Sequence, residues 1–171
     1  MLNLNVTYKL LYKYMFIYYG LISGLIATIL FDIYQNALNF SYGINKTRWD
    51  LVGRYFIGLK DKRYVRDNLD DDEVERNELF LGYLIHYLIG IIYGYMYIII
   101  NIIFYNEPSI LIAIIFGFLT ILGSWCIMMP YAFNLGFFAK NSNDKYQLIV
   151  QGLIAHFIFG IGLFIGYSLI F

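Results

Sequence analysis

Four stretches of this chain carry almost no charge, and each is long enough to cross a lipid bilayer. A spanning helix needs about 20 mostly apolar residues, because each residue advances about 1.5 Å through a hydrocarbon core of about 30 Å. Residues 14–35, 79–106, 109–131 and 146–171 qualify, and Asp32, His86 and His156 are the only Asp, Glu, Lys, Arg or His side chains within them. Of the whole chain, 60% is hydrophobic and 14% charged, against roughly a quarter charged in soluble domains. A water-soluble fold of 171 residues could not hide that much apolar surface. The expected fold is therefore a single all-α integral membrane domain, residues 1–171, built as a bundle of four transmembrane helices.

The first stretch follows Lys9 and Lys13, as the apolar core of a signal peptide follows its basic end. It outruns the roughly 7–15 residues of such a core and no small-residue cleavage site comes after it, so a span is expected. Pro108 marks the turn between the second and third spans, where proline suits a helix start. The turn is so short that those two helices must be antiparallel neighbours.

Sidedness follows from the basic residues, which are retained on the cytoplasmic face. With four spans, both termini and the 106–108 turn share one side, which holds Lys9 and Lys13. The other side holds Lys46, Arg48, Arg54, Lys60, Lys62, Arg63, Arg66 and Arg76 in loop 36–78, with Lys140 and Lys145 in the second loop. Both termini are thus expected outside and both basic loops in the cytoplasm. The sequon at Asn45–Thr47 then lies on the wrong side for glycosylation and is read as chance.

Within the large loop, Trp49, Val52, Phe56 and Leu59 recur at helical spacing among cations. This predicts an amphipathic cytoplasmic helix, lying either in the headgroup layer or over the bundle. The acidic run from Asp70 to Glu75 lacks the central glycine and alternating ligands of a calcium loop and is read as a solvated linker. Formal charge is zero, with 12 basic and 12 acidic residues, which argues against nucleic acid as a partner. The expected partners are the lipid bilayer and either a second copy or another membrane protein. Cys126 is the sole cysteine and has no disulfide or thiolate partner.

Residues four apart share a helix face. Read that way, each span shows a stripe of small or polar residues: Gly20, Gly24, Thr28 and Asp32 on the first; Gly82, His86, Gly90 and Gly94 on the second; Thr120, Ser124 and Met128 on the third; Gly152, His156 and Gly160 on the fourth. Small residues let helices approach closely where lipid removes any hydrophobic drive between them. These stripes are the expected contact faces, and Asp32, His86 and His156, lying on them, should point into the bundle. A charge facing lipid at mid-membrane costs about 2.5–3.5 kcal/mol even on the gentler scale.

Helix direction puts all three, with Pro130, in the cytoplasmic half. There they are expected to converge on an interior site that could relay protons, bind a small polar ligand or hold a divalent metal. A haem between the two histidines is conceivable. No local ligand spacing supports a particular cofactor, which stays unknown. The bland alternative is that Asp32 sits at a helix end and the histidines make interhelical hydrogen bonds. The glycines at 160, 162 and 166 are packing residues, since no strand precedes them as in a nucleotide-binding loop. Three functions stay open: a small transporter, ligand-binding or accessory subunit; a membrane metalloprotein or enzyme using Asp32, His86 and His156; and a structural partner in a larger complex.

A series of landmarks resembles one family. Gly24–Asp32, Trp49–Arg54, Glu78–Gly82 with His86, Tyr87 and Gly90, Gly117–Thr120, Met129–Pro130 and His156–Leu163 are similar, in order and spacing, to a bacterial membrane family catalogued as domain of unknown function 2938. The resemblance implies a four-span protein of the bacterial inner membrane and no particular activity. Its landmarks coincide with Asp32, Arg54, His86, Pro130 and His156, the residues of the candidate site. After Pro130 the family pattern of small residues and a Thr-Pro pair is replaced by Asn134-Leu135-Gly136 and Asn141-Ser142-Asn143.

Overall fold

The computed structural model describes residues 4–66, 69–105 and 107–171, with side chains of the first helix described from Met15. Asn106 and the side chains of Lys9 and Lys13 lie outside the described residues. The helices are α1 (Leu4–Tyr42), α2 (Trp49–Gly58), α3 (Glu78–Phe104), α4 (Ile110–Gly123, continued by a π-helical segment, Ser124–Ala132) and α5 (Lys145–Ser168). Among the described residues there is no strand. Four segments, Met15–Tyr42, Glu78–Phe104, Ile110–Ala132 and Lys145–Ser168, are long and apolar enough to cross a membrane. The fold is the four-span bundle that the uncharged stretches require.

The end of the first span differs from the sequence reading. α1 continues about two turns beyond Gln35, because the asparagines that mark a loop in sequence are used here to finish a helix. Asn36 donates back to the Asp32 carbonyl at 2.8 Å, Asn39 donates forward to the Ile44 carbonyl at 3.1 Å, and the chain leaves the helix at Gly43, whose φ of +67° suits a residue without Cβ.

Packing runs α3–α1–α5–α4. α1 crosses α3 where Gly24 and Gly94 meet backbone; a Cβ on Gly24 would press on the Gly90 carbonyl at 2.5 Å. α5 meets α1 where Gly162 and Gly166 face Ala27 and Ser23, and meets α4 where Gly160 faces the Ala113 carbonyl. α3 and α4 touch through Tyr93 and Phe116, ring centroids 6.0 Å apart, and are joined by a closed turn. In that turn Ser109 caps α4 by accepting from the Ile112 N–H, and Asn101, fully buried, accepts from the Ser109 N–H at 2.9 Å.

The loop helix α2 packs on α3. Its seat is a double glycine contact: Gly53 lies against the Glu78 carbonyl, and Gly82 against the Trp49 carbonyl, with no room for a Cβ on either. Leu51 and Tyr55 on its other side join Leu69 and Ala132 in a small core, so α2 lies over the bundle.

Candidate functional site

Asp32 and His86 face each other across the α1–α3 contact. His86 Nε2 is 3.1 Å from Asp32 Oδ1, and the Tyr87 hydroxyl donates to Asp32 Oδ2 at 3.0 Å. Both charged-type side chains are largely buried, 12% exposed for His86 and 15% for Asp32. The Trp49 indole stacks on the His86 ring at 3.9 Å, so α2 covers the pair. The carboxylate meets one ring edge and the indole covers a ring face. The arrangement can hold a proton in a place sheltered from water.

His156 takes a different partner. Its Nδ1 is 2.8 Å from Thr120 Oγ1, and that hydroxyl lies 2.6 Å from the Gly117 carbonyl, to which it donates. A hydroxyl has one proton to give, so the His156 Nδ1 carries the hydrogen of the shared contact and Nε2 of the neutral ring is left as an acceptor. Between the two histidines stands Phe31, 5.4 Å from the His86 ring and 5.7 Å from the His156 ring. The two histidines thus flank one phenyl ring, but the three residues do not share a ligand position: Asp32 and His86 are bonded to each other and His156 to Thr120. Among the described residues no three His, Cys, Asp or Glu side chains form a group that could hold a metal ion.

Arg54 belongs to the seat of α2. It grips Glu78 with two hydrogen bonds, 2.7 and 2.8 Å, and donates to the Leu69 carbonyl at 2.7 Å. The pair is buried, with Arg54 5% and Glu78 10% exposed. The bonds to Glu78 push the guanidinium still further up from its ordinary range, against the effect of burial. Nearby, Arg66 pairs with Asp72, and its backbone N–H donates to the Tyr131 carbonyl at 3.0 Å. Burial pulls Arg66 down from its ordinary value.

Pro130 lies in the π-helical segment. Proline has no N–H to continue an α-helical ladder, and the wider turns absorb the lost bond: Phe133 donates to the Met128 carbonyl at 3.1 Å. That segment walls a cleft of about 320 Å³, bounded also by Phe31, Gln35, Gln151, Gly152 and His156 and by the connection from α1 to α2. Gly82 receives α2; of the glycines read as packing residues, Gly20, Gly24, Gly90, Gly94, Gly152 and Gly160 face a neighbouring span, Gly152 toward Ile121 and Trp125 at the wall of the cleft.

Tyr87, Thr120, Gln35 and Gln151 were absent from the candidates read in sequence. Tyr87 adjoins a named histidine, and Thr120 stood on a named stripe. Gln35 and Gln151 were visible as uncharged polar residues at the ends of apolar runs, a signal that counting charges passes over.

Bundle and buried polar core together define a multi-pass membrane protein with an interior polar centre. The chain belongs to the family described as "Protein of unknown function (DUF2938)", whose model matches residues 21–170. No curated protein and no solved structure matches it.

Proposed function

We propose that this chain is a small transporter or ligand-binding subunit of the bacterial inner membrane whose working element is the Asp32–His86 pair. The observation that carries the reading is a carboxylate and an imidazole 3.1 Å apart inside two membrane-spanning helices. Ionisable groups in that setting are expensive and mark ion or proton pathways more often than not. Tyr87 and Trp49 support it, one by bonding the carboxylate and the other by covering the ring. In this reading both termini lie on the non-cytoplasmic side, because the basic residues cluster at the end of the bundle bearing α2. The pair then takes up its proton from the cytoplasm.

The test uses liposomes containing the purified full chain and a trapped pH-sensitive dye, challenged with amino acids, sugars, carboxylates and nucleosides. A solute that moves protons through wild type, but not through Asp32→Asn or His86→Gln, supports the reading. Proton movement unchanged in both variants, or absent with every solute, ends it.

A further inference from the structure

From the walls of the cleft we infer a second site, a binding pocket for a small neutral molecule that carries an N–H or O–H donor and an apolar ring. It uses neither Asp32 nor His86.

Two of the polar groups lining the cleft present acceptors. Gln151 and Gln35 are 8% and 5% exposed. The Gln151 amide is oriented by its own bonds: Nε2 donates to Gln35 Oε1 at 2.9 Å and to the Asn45 carbonyl at 3.1 Å. Its oxygen therefore points away from both and takes no hydrogen bond from the protein. In this arrangement that oxygen is shut off from solvent; the terminal torsion of a glutamine is soft, and meeting a ligand requires the amide to turn and exchange its present bonds. The second acceptor is His156 Nε2, free because Thr120 holds the ring by its Nδ1–H. Two unmet acceptors call for a donor such as a primary amide or a hydroxyl.

Charge decides against an ion. At the mouth, Arg48 is bound to Asp50 at 2.6 Å and Asp70 at 3.1 Å, and Lys46 donates to Asn36 Oδ1 at 2.8 Å. Arg48 is thus matched by carboxylates and Lys46 by a neutral amide, and beyond Lys46, Arg48 and Asp70 no Lys, Arg, Asp or Glu lines the cleft. The remaining lining is mostly aromatic and aliphatic, as at Phe31, Trp125, Met129 and Leu148, with Asn45, Thr47 and Ser124 as its other uncharged polar residues. A volume of about 320 Å³ lies at the small end of ligand pockets, enough for one substituted ring.

Calorimetric titration of the detergent-solubilised full chain with benzamide, benzoate and benzylamine separates the charge classes on one ring size. Benzamide is expected to bind saturably, and the two ions more weakly by roughly tenfold or more, the scale of one lost hydrogen bond. Gly152→Leu, which fills the cleft, and Gln151→Leu, which removes the acceptor, should each weaken benzamide by a similar factor. Cooperative melting shows which variants fold, and either one suffices. Benzoate or benzylamine binding as tightly as benzamide overturns the ligand class. Absence of saturable heat with all three up to the millimolar range, or benzamide binding unchanged in a folded variant, overturns the site. None of these outcomes depends on proton movement through Asp32 and His86.

Discussion

The α1–α3 side of the bundle and the α4–α5 side each enclose a histidine flanked by glycines, His86 by Gly82 and Gly90, His156 by Gly152 and Gly160. Their polar chemistry differs. On the α3 side the buried partners are ionisable: Asp32 for His86, and Glu78 for Arg54. On the α5 side they are neutral: Thr120 for His156, and Gln35 for Gln151. One residue type on one kind of stripe therefore serves two purposes, and its partner decides which. A carboxylate gives the imidazole an ionisable partner, while a hydroxyl bound to a carbonyl fixes its tautomer and leaves it an acceptor.

The contrast predicts unequal costs of breaking these contacts. Removing one member of the Arg54–Glu78 pair strands a buried charge, so Glu78→Ala should lose about 3–5 kcal/mol. The Arg54→Met, Glu78→Leu double variant should lose much less. Reversible unfolding in mixed detergent checks both, and a double variant as unstable as the single one would remove the charged character from that side. Next comes backbone proximity: Gly24→Ala forces a Cβ onto the Gly90 carbonyl and should cost about 1–3 kcal/mol. Gly152→Ala, whose Cβ meets the side-chain atoms Trp125 Nε1 and Ile121 Cδ1 at 3.3 and 3.4 Å rather than backbone, should cost less in the same assay.

Thr120→Val tests the neutral side. Interhelical hydrogen bonds in membranes average about 0.6 kcal/mol, and the loss should be of that order; a loss approaching that of Glu78→Ala would erase the distinction between the two sides. The smallest expected effect is at the start of α2. The hydrogen bonds from Arg48 hold the Asp50 carboxyl below its ordinary 3.8, against burial. A lowered folded value means that this contribution is complete above the unfolded value and lost as pH falls through the folded one. Tryptophan fluorescence, which senses Trp49, should therefore change only below about pH 4, and Asp50→Asn should remove that change.

Much of the α-helical frame was legible because lipid leaves so few options. Runs without charge mark the spans, and period-3.6 stripes mark the faces on which Asp32, His86 and His156 lie. What could not be read is which stripe residue bonds to which. Asp32 and His86 are 54 positions apart and Thr120 and His156 are 36, so pairing depends on the rotation and height of whole helices, set by glycine contacts whose register no single stripe contains. Arg54 read as a cation of an amphipathic helix because its partner Glu78 lies 24 residues away, at the mouth of a span. The extra turns of α1 were hidden for a local reason: Asn36 and Asn39 are loop formers that here serve as helix-end donors.

Phe31 touches both histidine rings and also borders the cleft. It is a partition one phenyl thick between an ionisable pair and a neutral compartment. Any guest that tilts it changes the packing around His86 at once, without a hinge or a moving helix. The two compartments are mechanically in earshot of each other, and the message between them travels the width of a single ring.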